Sequence, residues 1–410
     1  MARRVFLTGL GFVTPHGRDP EQVFERLYRG ESAIRLTRTG TPEMGADHPL
    51  AAIDFEPGDL IPKIQALFQS RSAQMAVVAA HGALASAGIS REGDALRDAG
   101  VYVGTGVGGT EVIQEAYRVY YEKRSRRTKP SSVPMVMANA AASHISMTFG
   151  IRGPSQTYAI ACSSSAVSIG EAFRAVRDGY LDIALAGGTE AILNDGSMIV
   201  WERVGALASL HPDGAEATSR PFDLGRRGFV LGEGSVMLVI ESEERAAARG
   251  ATPIAEIVGY GASSDAHNLL EPLADGQRLA MLGALRDAGI EREQVGYVNA
   301  HATGTPTGDA VEIEAIKEAF GEHAQSLAIS STKSMHGHLV GATGALECAI
   351  TALALKQRRI PPTANLTDPD PACDLDCVPL VGREAPSLEV AISNSFAFGG
   401  SNATLVLKRA

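Results

Sequence analysis

The chain has 410 residues, 45% of them apolar and 44 of them glycine, enough for two domains or one large layered fold with many tight turns. Its formal net charge is −10, which excludes bulk attraction to nucleic acid or to an anionic membrane as the basis of function. Cysteines at 162, 348, 373 and 377 make no disulfide framework in a chain this long, no apolar run reaches membrane-spanning length, and the opening segment lacks a signal-peptide core, so a reducing, cytoplasmic setting is expected.

Arg4 to Leu10 is predicted as a strand. Asp19 to Arg29 is predicted as a helix, with Asp19 as N-cap and Pro20 at its first position. Residues 31–62 carry scattered glycine and proline and read as irregular. In Ser70 to Ala87, Ala73, Val77, Ala80 and Leu84 recur at helical spacing, and Gly88 closes the helix. Gly100 to Gly109 reads as a strand running into a glycine loop. The loop lacks the full dinucleotide fingerprint, and no acidic residue follows on a second strand at the required distance, so a turn needing positive φ is the plainer reading. Tyr121 to Pro130 is a dense basic run: either a solvated helix end and loop, or a docking patch for an acidic partner.

The stretch from Thr157 to Gly179 carries the first chemical signal. It starts apolar, as a short buried strand, turns at Cys162, and continues with Ala166, Ile169, Phe173 and Val176 on one helical face. Ser163, Ser164 and Ser165 can cap that helix and Gly179 stops it. Cys162 therefore sits at a strand-to-helix junction, where free N–H groups and the helix dipole favour a thiolate; the plain alternative is a small buried cysteine. Leu181 to Gly188 and Ser235 to Ile240 follow as strands, and Glu241 to Gly250 as a short charged helix. The seam between two halves, 1–251 and 252–410, is placed there.

The second half repeats the alternation. Strands are predicted at Ile254 to Tyr260, Val295 to Ala300, Leu327 to Ser331, Glu389 to Ser393 and Ala403 to Lys408. Helices are predicted at Gln277 to Ala288, Asp309 to Phe320 and Gly344 to Gln357. Such alternation argues an α/β fold with buried sheets and a duplicated architecture. Loops at strand ends hold His301, Lys333 with His338, and Phe398-Gly399-Gly400, and can converge with Cys162. His301, His336 and His338 could instead form a metal site, but no helix-borne ligand spacing supports one. Read jointly, the set suits acyl transfer: a thiolate in a positive environment, backbone N–H donors for a tetrahedral intermediate, and two neutral histidines to hold a developing enolate.

The motifs Ala161-Cys162-Ser163, Asn299-Ala-His301-Ala-Thr303-Gly-Thr305-Pro, Ser331-Thr-Lys333-Ser-Met-His-Gly337-His338-Leu-Val-Gly341-Ala and Asn394-Ser-Phe396-Ala-Phe398-Gly399-Gly400-Ser-Asn402 occur in this order. On them the chain resembles the β-ketoacyl-[acyl-carrier-protein] synthases of the elongating, condensing-enzyme-II type, along essentially its whole length. The resemblance implies a thiolase-like five-layer α-β-α-β-α fold from two similar halves, usually a homodimer, with a heterodimer also open. It implies that Cys162 takes an acyl chain from acyl carrier protein, and that decarboxylation of malonyl-carrier protein supplies the enolate that attacks it. His301 and His338 would stabilise the enolate, and Lys333 would order the site. The N–H groups of Cys162 and Phe398 would form the oxyanion hole, with Phe396 and Gly399 flanking the Phe398 gate. Thr303 and Thr305 would contact the phosphopantetheine arm, and Glu347 would stand beside Lys333. The resemblance implies no metal and no resident cofactor, since the pantetheine arm arrives with the carrier.

Three features depart from the pattern usual in fatty-acid elongation. They are Ser163-Ser164-Ser165 behind the nucleophile, His336 where many relatives carry a hydroxyl residue, and Ser197-Met-Ile-Val-Trp201-Glu-Arg203. They leave fatty-acid and polyketide or polyene service both open. The alternative of another class is a catalytically silent subunit that pairs with an active synthase and sets chain length.

Overall fold

The computed structural model describes residues 3–41, 44–90 and 94–410. Ten strands share one hydrogen-bonded order: Ala328–Ser330, Tyr297–Asn299, Val390–Ala397, Ser401–Lys408, Ala255–Ser264, Val5–Val13, Gly234–Ser242, Ile183–Glu190, Gly100–Gly104 and Ser155–Tyr158. The midpoint is a short antiparallel contact of Val5, Phe6 and Leu7 with Ile257, Glu256 and Ala255. Outward from that seam, each half runs through the same sequence of pairings: antiparallel, antiparallel, parallel, parallel. The strands of each half also come in the same chain order, first, fifth, fourth, second, third. This is the duplication expected from the sequence.

Side-chain alternation along each strand assigns the layers. In Gly234–Ser242, Val236, Leu238 and Ile240 point to a central core, while Met237 and Val239 point to an outer one. The central core is filled by the helices Ser164–Arg177 and Thr343–Gln357, packed between the two half-sheets. Arg71–Ser86 and Ala140–Phe149 cover the outer face of the first half, and Ala274–Ala288 and Gly308–Phe320 that of the second. The result is five layers, α-β-α-β-α. The run Thr343–Leu355 is buried on every side, as a helix between two sheets must be. No helix of the described residues is long and apolar enough to cross a membrane.

Several sequence expectations need correction. Residues 31–62 are not all irregular: Arg35–Thr39 and Ala46–Leu50 pair antiparallel, a hairpin hidden by its mostly exposed, polar strands; Pro42 and Glu43 lie outside the described residues. The strand before Cys162 is Ser155–Tyr158, half-exposed because it lies at the sheet edge, and it ends four residues before the cysteine. Glu241 belongs to the strand Gly234–Ser242, not to the helix after it, because it is paired with Phe6 on one side and Ile183 on the other; its buried carboxylate is met by Arg245 and Arg249. The strand predicted at Glu389 to Ser393 continues to Ala397 against Ser401–Lys408.

Candidate active site

The nucleophile loop is built from backbone constraints. Ala161 has φ +43°, a conformation that costs a non-glycine residue roughly 1–2 kcal/mol and turns the chain sharply into the helix Ser164–Arg177. Gly104 lets the neighbouring strand approach this turn, since a Cβ there would stand 2.3 Å from the Ser165 amide nitrogen. The three serines do not cap the helix. Ser163 Oγ donates to Ile160 O at 3.0 Å, Ser164 Oγ accepts from Ile160 N at 2.8 Å, and Ser165 Oγ accepts from Ala345 N of the opposite central helix at 2.9 Å. They lock the turn and join the two helices, their hydroxyls being committed to Ile160 and Ala345.

Cys162 Sγ lies 2.9 Å from His338 Nε2, and His338 Nδ1 lies 2.9 Å from Thr343 Oγ1. The ligand atoms of Cys162, His301 and His338 all fall within 4.8 Å of one another. The two imidazoles stand edge to face with centroids 5.5 Å apart, and Phe396 lies 6.1 Å from the His301 ring. Phe229 packs edge-on against His338, and Trp201 joins Phe229 to Phe398, over which it stacks at 6.5 Å. Cys162, His301, Thr303, Thr305, His338, Phe396 and Phe398 line one cavity of about 320 Å³. Gly399, at φ +87°, turns the loop, and its N–H bonds Leu269 O.

Lys333 and Glu347 stand behind this cavity, not in its wall. Their buried ion pair has an Nζ–Oε1 distance of 2.5 Å. Burial first, and the Lys333 charge second, hold His301 and His338 well below the usual histidine range, so both are neutral near pH 7. The thiol departs from the sequence expectation. Burial pushes Cys162 up to about 12, while Lys333 and the N–H groups of Phe398 and Cys162 pull it down. The helix-end argument for a thiolate omitted desolvation, and desolvation is the larger effect. In the resting site the sulfur keeps its proton, and the adjacent imidazole is placed to speed its loss.

His336 is turned away from the set: Nδ1 bonds Gly337 O at 2.7 Å and Nε2 bonds Thr332 Oγ1 at 2.9 Å. The three-histidine metal grouping is therefore not formed. The compatible donors are Cys162, His301 and His338. The glycine loop after Gly104 grips a carboxylate of the chain itself: Glu190 accepts from Gly106 N, Val107 N and Gly341 N at 2.6, 3.3 and 2.9 Å.

Sequence reasoning missed Thr343, Glu312 and Glu190. Glu312 accepts from His301 N at 2.9 Å, Ala302 N at 2.7 Å and Asn394 Nδ2 at 3.1 Å, fixing the His301 loop; burial pushes it up to about 7 against those donors. Its signal was available: Asp309 and Glu312 are acidic residues on the buried face of a helix that also carries Ile313 and Ile316.

A thiol faced by two neutral imidazoles, in a cavity between the halves of a duplicated five-layer fold, defines a condensing, acyl-transferring enzyme of the thiolase-like class. The models of the beta-ketoacyl synthase N-terminal and C-terminal domains match residues 2–246 and 254–367, and the chain belongs to the β-ketoacyl synthase family. It is similar to the 3-oxoacyl-[acyl-carrier-protein] synthase 2 of Staphylococcus aureus (strain N315), 41% identical over 99% of this chain and 98% of that one. Among solved structures, the ishigamide ketosynthase/chain length factor superposes with a TM-score of 0.91 at 33% identity, covering all of both chains. A ketosynthase bound to the hexaketide, in complex with its type II polyketide synthase acyl-carrier protein, superposes at 0.90 with 29% identity, again over all of both chains.

Proposed function

We propose that this β-ketoacyl synthase elongates acyl chains carried by acyl carrier protein, in fatty-acid or polyketide/polyene biosynthesis. The observation that carries the reading is the convergence of Cys162 Sγ with the imidazoles of His301 and His338 in one cavity. In the first stage the Cys162 thiol gives its proton to His338 Nε2. Its sulfur attacks the acyl thioester, and the carrier's pantetheine thiol leaves with a proton. The N–H groups of Cys162 and Phe398 hold the oxyanion, and Phe398, with Phe396 and Gly399 beside it, yields as the acyl chain enters. In the second stage a malonyl-carrier thioester loses CO₂. Its enolate oxygen is held by N–H groups of His301 and His338, the His338 ring now carrying its proton on Nε2 while Nδ1 accepts from the Thr343 hydroxyl, and its carbon attacks the Cys162 thioester. The 3-oxoacyl chain leaves on the carrier, and the released Cys162 thiolate takes one proton from solvent, which restores the thiol.

Lys333, fixed by Glu347, adds to burial in keeping both histidines neutral and is not itself the base. Thr303 and Thr305 contact the pantetheine arm, and the exposed basic run around Arg126 and Arg127 docks the acidic carrier. We place the boundary between halves at 251/252, the working assembly as a dimer of this chain with itself or with a related subunit, and the reaction in the cytoplasm. A silent chain-length-setting role is not favoured, because thiol and both imidazoles are present and face one another. Intact-protein mass spectrometry after incubation with acyl-carrier protein tests the reading. An acyl adduct is expected on the wild type and none on Cys162→Ala, and an undiminished adduct on the variant would sink the assignment.

A further inference from the structure

We propose that Arg227 binds the phosphate of the incoming phosphopantetheine arm at the cavity lip, an inference that rests on the carrier-borne substrate proposed above. Arg227 is the sole lysine or arginine among the residues lining the cavity that holds Cys162. It is exposed and forms no ion pair with a described acidic residue, whereas Arg220 and Arg226 on the same loop are both committed to aspartates.

Two of the three acids in the cavity wall are engaged elsewhere, and the third, Glu271, is an exposed side chain. Asp265 accepts from Leu273 N at 3.0 Å and Asn402 Nδ2 at 2.6 Å, Glu312 holds the His301 loop, and Glu271 faces His267 at 4.0 Å. A guanidinium left without a counter-charge on the wall of a catalytic cavity is suited to an anion that arrives with the substrate.

The backbone that carries Arg227 is fixed on both sides, so its position is built and not adventitious. Arg226 is buried and donates to Thr305 O at 3.0 Å and Pro306 O at 2.7 Å, while bonding Asp370 at 2.6 Å. Gly228, at φ +128°, donates to Gly304 O at 2.9 Å, and a Cβ there would stand 2.3 Å from Ala206 O. Arg227 is thereby held against the Thr303–Thr305 loop. That loop carries the hydroxyls of Thr303 and Thr305, which line the same cavity as Arg227 and the Cys162 thiol. The chemistry that fits is a phosphate ester at the outer end of a flexible arm whose thioester end reaches Cys162. Carrier protein and coenzyme A both supply such an arm; the proposal commits to the carrier.

The test compares malonyl thioesters of pantetheine, of coenzyme A and of holo carrier protein, on wild type, Arg227→Ala and Arg227→Lys preloaded with an acyl group. The ratio of kcat/KM for the carrier-borne substrate to that for the pantetheine thioester is expected to fall about five- to thirty-fold in Arg227→Ala and to recover largely in Arg227→Lys. A parallel fall in the coenzyme A ratio would support recognition of the phosphate itself. A fall for the carrier with the coenzyme A ratio unchanged would overturn the phosphate assignment in favour of contact with the carrier's own side chains. Unchanged ratios in both would overturn the proposal while leaving the condensing reaction intact. Failure of the wild type to condense any of the three would overturn the proposed substrate as well.

Discussion

The two halves share one topology, yet the same place in each does different chemistry. The central helix of the first half starts through Ala161-Cys162-Ser163, and that of the second through Val340-Gly341-Ala342. Each of these turns opens on a residue with positive φ, +43° at Ala161 and +44° at Val340. The duplicated turn thus places Cys162 and Gly341 at equivalent positions. One is the nucleophile; the other is an amide that donates to Glu190. His338 stands two residues before its own helix turn and reaches across to the sulfur. The halves diverge again at the ends of their fourth strands. The first ends in Glu190, a buried carboxylate tying loops together, and the second in Phe396-Ala397-Phe398, which line the cavity. The shared backbone supplies two facing helix starts, and single side chains decide which supplies the thiol and which the imidazole.

Changes that unbalance the two helix starts test this comparison. The largest stability effect is expected at the buried pair behind the second. Lys333→Met leaves Glu347 uncompensated in the core and should cost about 3–5 kcal/mol, read as a lowered midpoint in urea unfolding. Burial already pushes the Glu347 carboxyl up to about 7 against the opposing lysine, and without that lysine it rises further. A carboxyl raised above its unfolded value favours folding at low pH and loses that contribution as pH rises through the folded value. The variant should therefore recover part of its loss near pH 6 relative to pH 8. Equal loss at both would deny Glu347 its charge. A smaller effect is expected at the surface. Arg126→Glu with Arg127→Glu should raise the KM for carrier-borne substrates several-fold, more at low ionic strength, with kcat little changed. An unaltered KM would return the run to an ordinary solvated loop.

Much of this arrangement was legible in the sequence where a residue's type and its local pattern carry the reason for its position. Asp19 caps its helix, accepting from Gln22 N at 2.9 Å. Ala166, Ile169, Phe173 and Val176 are all buried on the face their spacing gave. The convergence of Cys162, His301, His338 and the Phe398 loop followed from their places at strand ends. What was hidden depends on tertiary neighbours. The hairpin Arg35–Thr39 with Ala46–Leu50 has mostly exposed strands, so no alternation marks it. The serines after Cys162 look like caps, but their partners lie in a turn and in a helix 180 residues away. The thiol's raised pKa comes from burial that only the assembled layers create.

The central claim is that the first half holds the acyl group and the second half drives decarboxylation and condensation. His338→Ala tests it most directly, followed by intact-protein mass spectrometry of the acyl-enzyme and by product analysis after malonyl-carrier protein is added. The expected result is a detectable acyl adduct on Cys162 with 3-oxoacyl product reduced at least a hundredfold. Full condensation in that variant would contradict the division of labour between the two halves.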